Sequence, residues 1–173
     1  KGLLASAIRS EDPVIVLEHK RTYRLVKGDV PDEDYTIPIG KAEIKRPGTD
    51  LTIFTYGLML HYALQAAEMA SANGIDVEVL DLRTLRPLDE DAIAESASRT
   101  GKALIVQEDT PAVSISSEVA AIIGERCFFD LDGPITRLGP PEIPPMPFSP
   151  IQEAAFMPSP EKILAAITKL AEL

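Results

Sequence analysis

The sequence is poor in several residue types, and each shortage excludes something. It has one cysteine, Cys127, so neither an internal disulfide framework nor a multi-cysteine metal site can form within the chain. A thiol-poor composition fits a reducing compartment. Tryptophan is absent, and no apolar run approaches the roughly 20 residues of a membrane-spanning helix. Positive charge is in the minority, with 17 Lys and Arg against 27 Asp and Glu and a net charge of −10. Such a balance argues against nucleic acid, whose phosphates need basic surface. It suits solubility, or docking to a basic protein. The glycine-rich dinucleotide fingerprint, the P-loop and the G-x-S-x-G elbow are all missing. Only two histidines occur, His19 and His61, and neither belongs to a cluster with zinc-ligand spacing.

The N-terminus lacks an initiator Met, and Lys1–Ile8 has neither the apolar length nor the cleavage-like tail of a signal peptide. Leu3, Leu4, Ala7 and Ile8 share one side of a helix that is already under way. The expectation is a piece of a longer protein, in which residues 1–21 end a preceding domain and 22–40 are a connector rich in Gly and Pro. Val14-Ile15-Val16-Leu17 reads as a short buried strand.

What the chain does contain is an alternation of strands and helices. Its centre is Val77–Asp89, an apolar run that ends in a Pro-containing polar loop and leads into a helix. A buried strand delivering a loop at its carboxyl end is the unit from which α/β crevices are built. Around it lie an edge strand at 42–44, a strand at 51–56, a helix after Gly57 closed by Asn73-Gly74, and a strand at 76–80. A helix capped by Asp89 and closed by Thr100-Gly101 comes next. A strand at 103–106, a helix capped by Ser114 or Ser116, and a strand at 135–138 follow. Ser159-Pro160 starts a last helix whose core face is Ile163, Ala166, Ile167 and Leu170. The pattern predicts an α/β domain with a mainly parallel sheet. Residues 140–150 contain six prolines, which excludes helix and central strand. Ile143, Met146 and Phe148 suggest an extended strap packed over the body.

Candidate functional residues are few. Gln107-Glu108-Asp109 lies at a strand's carboxyl end, where paired acids could act in catalysis, bind a cation or receive basic groups; an ordinary polar loop is the competing reading. Asp81 and Arg83 are expected to form an internal ion pair. Gly57 reads as a tight but ordinary βα turn, and Gly74 as a helix-closing glycine at positive φ, so Gly74 is expected to be the more sensitive position. His19, in Glu18-His19-Lys20-Arg21, reads as a surface residue near a domain junction, His61 as structural, and Cys127 as a small buried apolar residue.

Several stretches together resemble one family. They are Pro13–Arg24, Val30–Glu43, Gly48–Ile53 with Tyr56-Gly57, and Glu78–Asp89. In this order they are similar to the C-terminal part of the β subunit of 2-oxo acid dehydrogenase decarboxylating components. These are thiamine-diphosphate enzymes of the transketolase superfamily, and the branched-chain and acetoin types are nearest. The resemblance implies a three-layer α/β/α sandwich whose mostly parallel sheet has one antiparallel strand. Residues 1–21 would close the pyrimidine-binding domain, 22–40 would be the linker, and 41–173 the transketolase C-terminal-like domain. The parent would use thiamine diphosphate and Mg held elsewhere, with no catalytic, cofactor or metal residue in this chain. Its partners would be an α subunit, a second β subunit and the subunit-binding domain of an acyltransferase core, with Glu172, Leu173, Glu108 and Asp109 as docking residues. The compartment would be a bacterial cytoplasm or a mitochondrial matrix. A C-terminal domain of transketolase or deoxyxylulose-phosphate synthase, and a non-enzymatic assembly module, are the alternatives. One departure stands out. The family's His-Glu and following glycine pair are replaced here by Gln107-Glu108 and Asp109–Ser117, which implies altered backbone approach in that loop.

Overall fold

A computed structural model describes residues 1–143 and 146–173. Five strands form one sheet: β1 (Glu43–Arg46), β2 (Leu51–Thr55), β3 (Val77–Asp81), β4 (Ala103–Val106) and β5 (Thr136–Leu138). Their order is β1-β3-β2-β4-β5. Every pairing is parallel except that of β1 with β3, so the antiparallel strand lies on the edge. The three central strands are buried at every residue. That explains their near-continuous apolar character, since helices cover both faces of such a sheet.

Alternate residues sort to the two faces. Leu51, Ile53, Val77, Val79, Leu104 and Val106 meet α3 (Leu58–Ser71) and α7 (Pro160–Ala171). Phe54, Leu80 and Ile105 meet α4 (Glu90–Thr100) and α5 (Ile115–Cys127). The second face also holds a buried polar patch. Thr52 Oγ1 donates to Glu78 Oε1 at 3.1 Å, and Arg99 of α4 pairs with the other Glu78 oxygen. Cys127 packs within this layer, its thiol directed at the Ala94 carbonyl, as a buried apolar residue should.

Local chemistry sets the helix ends. The Asp89 carboxylate accepts from Ala92 N and caps α4, and it also accepts from Ala42 N at 3.1 Å. Together with Gly40 N donating to Thr84 Oγ1, this ties the end of the connector to the loop after β3. Gly101 closes α4 in the left-handed conformation, and Ser159 Oγ accepts from Lys162 N at the start of α7. Gly57 departs from the ordinary turn expected of it. Its φ is +61° with ψ −134°, a combination open in practice to glycine alone, while Gly74 has φ +79°. Gly57 is therefore the more demanding of the two.

The N-terminal region differs from its reading in two ways. Helix α1 (Gly2–Arg9) forms as expected, but Val14–Leu17 is not a buried strand. Ile15 is 86% and Leu17 82% exposed, because no strand edge among the described residues reaches them. The connector is also more ordered than a linker. It carries a short helix, α2 (Thr22–Leu25), and its second half lies along α1, with Ile37 N donating to Gly2 O and Arg9 paired with Asp34 at 2.7 Å.

The proline strap also needs correction. Pro144 and Pro145 lie outside the described residues, and Phe148 is fully exposed rather than packed. A helix, α6 (Pro150–Phe156), follows directly. Half-buried Phe156 and buried Met157 supply the apolar contacts expected of the strap. Among the described residues no helix is long and apolar enough to cross a membrane.

Candidate functional site at the carboxyl edge of the sheet

Strand β2 leads through α3 to β3 on one side, and its other neighbour β4 leads through α5 to β5 on the opposite side. The chain thus reverses direction between β2 and β4. In open α/β sheets that reversal leaves a crevice beyond the strands' carboxyl ends. Here it is bounded by Tyr56-Gly57 after β2 and by Gln107–Ser114 after β4.

Gln107 organises the second wall. It is buried, and its amide nitrogen donates to the carbonyls of Asp109 and Thr110 at 2.9 and 2.7 Å. Its Oε1 accepts from Ser116 N at 2.8 Å. A first-turn donor of α5 is thus satisfied by Gln107 rather than by a cap from Ser114, whose hydroxyl instead contacts Pro111 O and Ser116 Oγ. The amide meets the hydrogen-bonding needs of a loop that contains no glycine. The loop also holds Val113 at φ +46°, an uncomfortable conformation for a β-branched residue.

Glu108 points away from Gln107 and meets His19. The imidazole Nε2 lies 3.1 Å from Oε1 and 2.9 Å from Oε2, and each side chain is about one-third exposed. His19 Nδ1 is buried without a hydrogen-bond partner among the described residues. Tyr56 is half-buried beside the same acids. Burial, then the charges of Asp109 and Glu108, push its phenol above the ordinary tyrosine range. Asp109 is exposed, and its carboxylate accepts from Thr110 N.

Asp81 and Arg83 sit at the end of β3. Arg83 Nε lies 3.8 Å from Asp81 Oδ2, Arg83 N donates to Asp81 Oδ1, and the guanidinium pairs with Glu43. The expected ion pair is present and reaches the edge strand. Burial raises the Asp81 carboxyl above the usual range, opposed by the Arg83 amide and the Lys45 charge. His61 is on α3, away from these acids in sequence, and burial alone lowers its imidazole.

The four residues expected to dock a partner do not converge. Glu108 and Asp109 lie at the carboxyl edge. Glu172 and Leu173 are exposed at the amino edge, where Ala171 O accepts from Lys102 Nζ just before β4. Nothing in the sequence announces the His19–Glu108 contact, which joins residues 89 positions apart.

The chemistry of this crevice is acidic and narrow in type. The Glu108 and Asp109 carboxylates would repel a diphosphate, and among the described residues no three His, Cys, Asp or Glu side chains converge as a metal site would need. The residues present therefore do not fit thiamine diphosphate with its Mg.

Residues 40–163 match the family described as "Transketolase, C-terminal domain". The chain is 59% identical over 172 residues to the 2-oxoisovalerate dehydrogenase subunit beta of Bacillus subtilis (strain 168), covering 99% of this chain and 53% of that protein. It is 46% identical over 98% of its length to the beta subunit of acetoin:2,6-dichlorophenolindophenol oxidoreductase from the same strain, covering 49% of that protein. The pyruvate dehydrogenase E1 component subunit beta of that strain is 45% identical over 99% of the chain and 52% of its own length. Among solved structures, a split-gene transketolase described as an inactive beta4 tetramer superposes with a TM-score of 0.70 at 27% identity, covering 84% of this chain and 46% of that one. The chain spans about half the length of the relatives it matches. It belongs to the transketolase C-terminal domain family.

Proposed function

We propose that this chain is the C-terminal part of the β subunit of a thiamine-diphosphate-dependent 2-oxo acid dehydrogenase of the branched-chain type. The parent decarboxylates a 2-oxo acid and passes the acyl group to a lipoyl carrier. The observation that carries this reading is the 59% identity, across nearly the whole chain, to a 2-oxoisovalerate dehydrogenase beta subunit. A transketolase is the second reading; its structural likeness rests on 27% identity.

On this proposal the C-terminal domain assembles and docks rather than catalyses. The unpaired apolar run Val14–Leu17 joins the sheet of a pyrimidine-binding domain that contributes, with an α subunit, the coenzyme site. Two β and two α subunits form the working unit, in a bacterial cytoplasm or a mitochondrial matrix. Glu172 and the Leu173 carboxylate offer negative charge to a basic subunit-binding domain of the acyltransferase core. The Leu170 and Leu173 side chains border Gly133, which shares a surface cavity with Phe128, and Phe128 stacks edge to face with Phe129 at 5.3 Å. Asp109 is the exposed acid at the other edge.

The assembled parent should turn over the 2-oxo acid of valine in preference to pyruvate. Activity on ketose phosphates with none on 2-oxo acids would end this reading. Removing Glu172-Leu173 should weaken binding to the acyltransferase subunit-binding domain more at low than at high salt, because the Debye length falls from about 10 Å at 0.1 M to about 3 Å at 1 M.

A further inference from the structure

We propose that His19 and Arg21 clasp the chain's own Glu18–Leu25 turn onto both helical layers, His19 through Glu108 at the rim of the crevice after β4 and Arg21 through Glu153 of α6. The inference stands on this chain's contacts and does not depend on the identity of the parent's substrate.

The segment is built to present His19 and Arg21 from a stiff base. Thr22 donates twice to His19 O, from N at 2.9 Å and from Oγ1 at 2.6 Å. Val26 N closes the turn on Thr22 O, and Tyr23 Oη donates to Glu18 at 2.7 Å. His19 then reaches Glu108, whose neighbour Gln107 fixes the loop into α5. Arg21 reaches Glu153 of α6 at 3.4 Å. Glu153 O accepts from the amide of Met157, which is buried against the α3–α7 layer. One arm therefore holds the α4–α5 side of the sheet and the other the α3–α7 side.

The two arms differ in strength. His19 and Glu108 are each about one-third exposed, so water screens them only in part. Arg21 is 53% exposed, and its pair is correspondingly weak. The rest of the segment adds little, since Tyr23, Leu25 and Val26 are exposed. His19–Glu108 is the contact on which the clasp depends, and it fixes the angle at which whatever precedes residue 18 meets the sheet.

Amide hydrogen exchange on the full-length protein tests this. His19→Ala should speed exchange at both Thr22–Val26 and Thr110–Ser117, by roughly 5- to 10-fold, as expected for loss of one partly buried hydrogen bond. Exchange within β2 and β3 should not change. Glu108→Gln, whose amide oxygen still accepts from the imidazole, should give an intermediate effect in both segments. Arg21→Ala should loosen Thr22–Val26 alone, and by less. Unchanged exchange at Thr110–Ser117 in His19→Ala would overturn the coupling. If His19→Ala unfolds the protein, Glu108→Gln decides, and wild-type exchange in that variant would overturn the proposal.

Discussion

Val14-Ile15-Val16-Leu17 and Leu51-Thr52-Ile53-Phe54-Thr55 are similar kinds of sequence, short and rich in β-branched and apolar residues. Their fates are opposite. The second is the central strand, with every residue buried between two parallel neighbours and two helical layers. The first is extended and solvated, its Ile15 and Leu17 more than four-fifths exposed. Strand-forming character states that a segment can pair and does not supply the partner. The central strand finds β3 and β4 within 60 residues of itself. The N-terminal run finds no sheet edge among the described residues, so its apolar side chains stay in water.

Substitution makes the contrast quantitative. Phe54→Ala should cost about 3–5 kcal/mol in urea melts, the usual penalty for emptying a filled aromatic site. Ile15→Ala in the same chain should change stability by less than about 0.5 kcal/mol, as at other exposed positions. A cost for Ile15→Ala approaching that of Phe54→Ala would show that the run is already buried.

The backbone offers a smaller contrast among residues at positive φ, Gly57 and Val113 at the carboxyl edge and Gly74 before β3. Gly57→Ala should cost about 1–3 kcal/mol because of its φ and ψ alone, since no atom lies near the position of an added Cβ. Gly74→Ala should cost about 1 kcal/mol. Val113→Gly should have the opposite sign, stabilising by about 0.5–1 kcal/mol as a β-branched residue leaves positive φ. Chemical melts of the three variants give the order directly, and a harmless Gly57→Ala would remove the claim that the β2–α3 turn requires glycine.

The architecture was legible where local chemistry and global packing agree. Asp89 with Leu88 before it, Gly101, and Ser159-Pro160 mark helix ends that the structure keeps. The alternation of apolar runs predicts the parallel sheet. Ser149-Pro150 carries the same start signal as Ser159-Pro160, but the surrounding prolines draw attention to the strap, and α6 is passed over. Gly57 shows a different limit, because a glycine in sequence does not disclose its φ. The site was legible only in pieces. Glu108 and Asp109 stand out by their place after a strand, and His19 by being one of two histidines. That His19 meets Glu108, and Arg21 meets Glu153, follows from the path of residues 18–25 over the finished sheet, and no local pattern encodes that path.

The account's central claim is that this body assembles and docks while the coenzyme is held by other parts of the parent. Calorimetric titration with thiamine diphosphate and Mg tests it most directly, run on this chain and on the complete β subunit assembled with its α partner. The account predicts no saturable heat from the chain and micromolar binding by the assembled protein; saturable micromolar binding by the chain alone would contradict it.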